Sequence, residues 1–241
     1  MLLNRRNLLI AGTAASASVL LYGCSSGSEE ADTETVGQAD VSTDPSSETG
    51  SVALYDGSEI EPVNDQPINN PDGWVDRALG GVDADVTVIE YVSPTCPHCA
   101  AFHASAYPQI KEAYIDTGAI RFIARPFRRN VLDLAVFMVA AAGGNAYYDI
   151  LAAYMASQNE WMSAENPREA IFAVAQQFGF TQERFEEILT DQELFDGLEA
   201  TREQALNEFG LTGTPTFYIN GDKYEGTYDF EGLSAAIEER A

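Results

Sequence analysis

Val88-Ile89-Glu90-Tyr91-Val92-Ser93-Pro94-Thr95-Cys96-Pro97-His98-Cys99-Ala100-Ala101-Phe102-His103 is the stretch on which the reading of this chain turns. Extended back to Val86, its first part is a β-branched run with one acid inside it, which predicts a buried strand over Val86–Val92. Ser93-Pro94-Thr95 is a turn. Cys96 then opens a helix. Pro97 falls in the first turn, where a missing N–H costs little, and Ala100, Ala101, Ala104 and Ala106 favour helix onward. A thiol at a helix start sees unpaired backbone N–H groups and the positive end of the helix dipole. Both stabilise a thiolate, so Cys96 is expected to titrate low and to be a good leaving group. Cys99, one turn further in, is expected to be more buried. It can attack the Cys96 sulfur of a mixed disulfide but is poorly placed to meet a substrate. His98 adds a donor or a positive charge beside the thiolate.

Downstream, Ile120–Arg125 reads as a second strand stopped by Pro126, so the chain begins strand, helix, strand, the parallel βαβ unit. A helical block follows from about Leu132 to Phe209. Tyr147, Ile150, Leu151, Tyr154 and Met155 form one apolar stripe at helical spacing. Asn166-Pro167 looks like a cap followed by proline at the first helical position, and Thr181 precedes another apolar stripe. Strand signals return at Thr216–Ile219 and Lys223–Glu225, on either side of the two-residue hairpin signal Asn220-Gly221. Asp229 caps a last helix. This order describes an α/β, thioredoxin-like core, with a helical insertion at about 130–210 between the βαβ unit and the C-terminal β-hairpin and helix.

A C-x-x-C pair has three chemical readings: half of a zinc site, an inert structural disulfide, or a redox pair. A structural zinc site wants four ligands. The chain holds two histidines, His98 and His103, and no third cysteine beyond the N-terminal region. A structural disulfide closing so small a loop would add little stability. The helix-start position favours redox chemistry.

The remaining cysteine, Cys24, belongs to the N-terminal address. Arg5-Arg6 is followed by an uncharged apolar or small run from Leu8 to Leu21, too short for a stable membrane span but suited to an export signal. Asn4–Ile10 resembles a twin-arginine export motif, and Leu21-Tyr22-Gly23-Cys24 resembles a bacterial lipobox, in which the chain is cut before a lipidated cysteine. A plain secretory signal with an incidental cysteine is the alternative. Residues 1–23 are thus expected to be an export signal, and 24–73 an acidic, disordered tether to the folded domain at 74–241. Ser25–Gly73 has no lysine or arginine. Its Ser-, Asp- and Glu-rich first half cannot bury enough apolar surface to offset the entropy of ordering.

Hydrophobic residues make up 45% of the 241-residue chain, enough for a folded core in part of it. Against 38 acidic residues stand 13 basic ones, two of them lysine (Lys111 and Lys223). Such a surface repels nucleic acid and anionic lipid, so neither is an expected partner through surface charge.

The segment Val88–His103 resembles the active-site segment of the DsbA-like family of thiol-disulfide oxidoreductases, down to the dipeptide Pro97-His98. A second match is Gly213-Thr214-Pro215-Thr216-Phe217-Tyr218-Ile219-Asn220-Gly221, which resembles the family's loop with a cis-proline facing the active site. The resemblance covers about Asp76 to Ala241; at Arg125-Pro126-Phe127 relatives often carry an acid in place of Pro126. It implies catalysis by Cys96 and Cys99 with Pro97, His98 and Pro215, and an extended substrate pairing with the backbone at Thr214 beside Pro215. It implies no cofactor beyond the redox-active disulfide, and no metal. Reduced or unfolded exported proteins would be substrates, a quinone-linked membrane protein the reoxidant, and the periplasm or cell envelope the location, with the membrane held through lipid on Cys24. Glu90 matches a buried acid that assists proton movement at the inner cysteine. Burying it ionised is costly, so it is expected to find a partner or hold a proton. The expected function is oxidation of exported proteins. The alternatives are a reductase or isomerase, or a non-enzymatic membrane-tethered binding or chaperone module.

Overall fold

A computed structural model describes residues 74–241; the export signal, the tether and Cys24 expected from the sequence lie outside the described residues. Five strands form one mixed sheet. They are β1 (Ala78–Gly80), β2 (Val86–Val92), β3 (Ile120–Pro126), β4 (Thr216–Ile219) and β5 (Asp222–Lys223), in the order β1-β3-β2-β4-β5. The central strand, β2, runs parallel to β3 and antiparallel to β4, and every one of its residues is buried. This is the β-branched run of the sequence, covered on both faces as a parallel pair must be.

Alternation along β2 divides the molecule into two faces. Val86, Val88 and Val92 join the larger core, with Phe102, Ile110, Phe122, Phe217 and Leu233. Ile89 and Tyr91 join a smaller cluster with Ile123, Tyr218, Ala205 and Leu211. The helix α1 (Pro97–Ile110) follows β2 directly and buries Cys99, Phe102, Ala106 and Ile110, a stripe at spacings of three and four. The proline within it, Pro108, has no N–H to give to the helix, and the segment beyond, Lys111–Ile115, relaxes into one π turn.

Between β3 and β4 lie α2 (Val131–Ala142), α3 (Tyr147–Ala156), α4 (Gln158–Met162), α5 (Pro167–Gln176), α6 (Gln182–Ile188) and α7 (Gln192–Asn207). Their starts are chemically marked. Asn130, Asn166, Thr181 and Asp191 each accept a backbone N–H at a helix start. The stripe Tyr147, Ile150, Leu151, Tyr154, Met155 is buried throughout. The insertion is tied to the sheet through β3: Ala124 N–H donates to Tyr148 Oη, Tyr147 Oη donates to the Ala124 carbonyl, and Tyr148 Oη lies 3.2 Å from the Phe122 carbonyl. The helix α8 (Phe230–Glu238), capped by Asp229, closes the larger core beside α1.

Three details differ from the sequence reading. The strand β3 runs through Pro126, opposite Val92, rather than stopping before it. The three-residue strand β1 on the β3 edge is too short to leave a periodic signal. The outer hairpin strand is Asp222–Lys223 rather than Lys223–Glu225; both of its residues are exposed, and no apolar face holds a longer pairing. The turn itself is as the sequence indicates, with Asn220 and Gly221 at φ of 48° and 90°, the paired positive values of a primed hairpin turn. Among the described residues no helix is long and apolar enough to cross a membrane.

Candidate active site

Cys96 is the N-cap residue of α1, with extended backbone (φ −86°, ψ 119°), and its side chain caps nothing. Its sulfur is therefore left to face the open N–H groups of the helix start. Both Cys96 and Cys99 are free thiols, and both are buried. The Cys96 sulfur lies 3.1 Å from the Thr214 carbonyl oxygen, and the Thr214–Pro215 peptide bond is cis. The loop before β4 thus places its backbone against the sulfur. Pro97 and His98 are exposed, on the outer side of the first turn.

The two thiols are pushed in opposite directions. Cys96 is lowered to about 4. The largest cause is a hydrogen bond from Cys99, which outweighs the opposing effect of burial; the Thr214 side chain and the backbone N–H groups of Cys99 and His98 add to it. The Thr214 hydroxyl is buried, and apart from the Cys96 sulfur it has no hydrogen-bond partner among the described residues. Cys99 is pushed strongly up, first by burial, then by its bond to Cys96 and the charge of Glu90. One thiol is ionised at neutral pH and the other holds its proton.

Glu90 is fully buried in β2. Its strand neighbours, Ala124 and Phe217, offer it no side-chain donor. Its partner comes from α1: His103 Nε2 stands 2.8 Å from Glu90 Oε2. The second oxygen, Oε1, has no hydrogen-bond partner among the described residues.

The approach to Cys96 is held from the helical insertion. Asp133, buried in the first turn of α2, accepts from Ser93 Oγ (2.8 Å), Thr95 N–H (2.8 Å) and Arg129 N–H (2.7 Å). The cap residue Asn130 donates to Thr95 Oγ1 at 2.9 Å. Gln158, buried in α4, donates to the carbonyls of Pro94 (2.7 Å) and Cys96 (3.1 Å). Cys96 N–H is in turn bonded to the Ser93 carbonyl, so the polar backbone of Pro94, of Cys96 and of Thr95 N–H is held from several sides. An apolar groove of about 430 Å³ also opens in the insertion, lined by residues such as Leu134, Met138, Ile171 and Phe185; neither cysteine lines it.

The structure thus brings together Cys96, Cys99, Thr214 and Pro215, with Glu90 on the core side and His98 on the solvent side. Sequence reading missed Asp133, Asn130 and Gln158, and it missed His103 as the partner of Glu90. A signal existed for His103: it lies four residues after Cys99, on the same face of α1. Asp133 reads locally as an ordinary first-turn acid, and nothing local marks Gln158. Among the described residues no group of histidine, cysteine and acidic side chains is arranged to hold a metal.

Known proteins share this architecture. Residues 74–239 match the thioredoxin family. A Rickettsia bellii protein named as a protein-disulfide oxidoreductase is 33% identical over 168 residues, covering 68% of this chain and 63% of its own length; the chain therefore spans less than two thirds of that relative. The crystal structure of alpha-DsbA1 from Wolbachia pipientis is 27% identical, with a TM-score of 0.64 over 68% of this chain and 90% of that one. A structure described as a protein-disulfide isomerase from Novosphingobium aromaticivorans is 26% identical, with a TM-score of 0.60 over 70% of this chain and 98% of that one. With a family match over 74–239 and a C-x-x-C helix start facing a cis-proline loop, the chain belongs to the thioredoxin family, in its DsbA-like branch.

Proposed function

We propose that this chain is an exported thiol-disulfide oxidoreductase that oxidises protein dithiols through Cys96 and Cys99. The observation that carries the reading is the opposed state of the two thiols, with Cys96 lowered to about 4 and Cys99 pushed up. Stabilising the Cys96 thiolate stabilises the reduced protein, which makes its disulfide the stronger oxidant.

In the oxidised protein Cys96 and Cys99 are joined. A substrate thiolate attacks Cys96 Sγ, and Cys99 leaves with the bonding electron pair and takes up a proton. A second substrate thiolate then attacks the substrate sulfur of the mixed disulfide, and Cys96 leaves as its stabilised thiolate. Two electrons pass from the substrate dithiol to the protein, and no organic cofactor or metal takes part. The exposed Pro97 and His98 and the Thr214–Pro215 loop flank the point of attack, and the Thr214 backbone pairs with an extended substrate segment. Glu90 serves proton transfer at Cys99. Reduced exported proteins are the substrates, a quinone-linked membrane protein reoxidises the pair, and lipid on Cys24 holds the chain at the cell envelope.

Cys99→Ser traps mixed disulfides with substrate proteins and Cys96→Ser does not; equal trapping by both sinks the division of labour. The reduction potential, measured by equilibration with glutathione, is expected above that of thioredoxin, at about −270 mV. A value at or below it makes the protein a reductase. Intact-mass spectrometry of membrane-extracted protein is expected to find lipid on an N-terminal Cys24.

A further inference from the structure

We infer that His103 is the outer half of a proton relay that serves Cys99 through Glu90; the inference rests on the thiol-disulfide exchange proposed above. Three observations carry it. Glu90 is wholly enclosed and leaves Oε1 without a partner among the described residues, an arrangement that costs stability and so calls for a use of that oxygen. Its other oxygen is engaged at 2.8 Å by His103, and the His103 side chain retains 8% of its surface while Glu90 retains none. The pair therefore reaches from the buried strand toward solvent, and the charge of Glu90 acts on the Cys99 thiol. Cys99 itself is enclosed, so its proton has no direct route to water.

The groups around the pair leave it the task. From α1, Tyr107 packs on the His103 ring with centroids 4.6 Å apart, and from α3, Tyr147 faces Glu90; burial pushes both phenols up, so both stay neutral. Asp116 and Asp149, whose charges reach Tyr107, are exposed. The strands β3 and β4 present Ala124 and Phe217 beside Glu90. Histidine is the side chain that ordinarily exchanges protons near neutrality.

The step balances as follows. In a mixed disulfide at Cys96, the Cys99 sulfur bonds to Cys96 Sγ, and the partner sulfur leaves with the electron pair of the broken bond. The Cys99 proton passes to Glu90 Oε1. As the proton arrives at the Glu90 end of the pair, His103 gives its Nδ1 proton to water at the other. One proton enters the pair from the thiol and one leaves it. When substrate reduces the protein the transfer runs backwards.

The test uses the reduced full chain and oxidised glutathione, with rapid quenching to separate glutathionylation of Cys96 from its resolution by Cys99, between pH 5 and 9. In the wild type the resolution rate is expected to bend near neutral pH. A rate that instead rises tenfold per pH unit throughout, as for a thiol deprotonated by solvent alone, overturns the relay without any variant. His103→Gln keeps a donor to Glu90 but cannot titrate. It is expected to slow resolution about tenfold at pH 7, abolish the bend and leave the glutathionylation step unchanged. Adding Glu90→Gln to it is expected to slow resolution little further, since both act on one path. A His103→Gln profile that overlays the wild type overturns the relay alone. A wild type that forms no Cys96–Cys99 disulfide overturns the proposed function and the relay together.

Discussion

Adjacent residues of β2 meet opposite fates on the two faces of one sheet. On the smaller face, Tyr91 sits over a buried ion pair. Arg125, fully enclosed, grips Asp76 through Nε (3.1 Å to each oxygen) and Nη2, and its Nη1 donates to Tyr91 Oη at 3.1 Å. Trp74 Nε1 adds a donor to Asp76 at 3.0 Å. On the larger face, Glu90 has one partner and one open oxygen. Asp133, the third buried carboxylate, resembles Asp76, with three donors on its oxygens. All three acids are at most 1% exposed. Burial alone therefore does not separate these three acids; the count of donors does, with Asp76 and Asp133 held by three or more and Glu90 by one.

That contrast can be broken experimentally, beginning where the effect is largest. Arg125→Leu leaves Asp76 buried without its cation and is expected to cost about 3–5 kcal/mol in denaturant melts. At concentrations where the variant is still folded, exchange at Cys96 is expected to proceed at the wild-type rate, and a large loss of rate there would tie the two faces together.

Next comes Asp133→Ala, which takes the acceptor from Thr95 N–H and Arg129 N–H under the loop. A cost of about 2–3 kcal/mol is expected. Thiolate absorbance is expected to show Cys96 titrating higher than in the wild type, because the loop no longer holds the sulfur in place. Unchanged thiolate titration in a destabilised protein would make Asp133 a residue of the fold and nothing more.

The thiols themselves give the third expectation. Folding depresses Cys96 from 9.0 to about 4. The thiolate's contribution to the reduced form is thus complete above the unfolded value and is lost as pH falls toward 4. With Cys99 keeping its proton, the couple takes up one proton per two electrons, and the potential is expected to fall by about 30 mV per pH unit between pH 5 and 8. Twice that slope across neutrality would mean that both thiols are protonated.

Glu90→Gln is expected to have the smallest effect on stability, under about 1 kcal/mol, since the amide oxygen can still face His103 and the open position has no donor to lose. A loss as large as that of Arg125→Leu would erase the contrast between the faces.

Local chemistry was legible wherever neighbours in sequence make the structure. The β-branched run Val86–Val92, Pro97 after Cys96, the caps Asn166, Thr181 and Asp229, and Asn220-Gly221 each state a strand, helix start or turn within a few residues. These suffice for the thioredoxin-like order of elements and for the pair Cys96 and Cys99 at a helix start. Beyond the Pro215 loop and Glu90, which the resemblance placed beside it, tertiary structure decided how the pair is held. Gln158 reaches Cys96 across 62 residues, Asp133 reaches Thr95 across 38, and Thr214 meets the Cys96 sulfur across 118. Periodicity and capping report which way a side chain points on its own element, but such long-range bonds depend on where whole elements dock. That docking is set by the apolar faces that pack the two cores, so a buried glutamine or a first-turn aspartate acquires its task only when the insertion closes over the active-site loop.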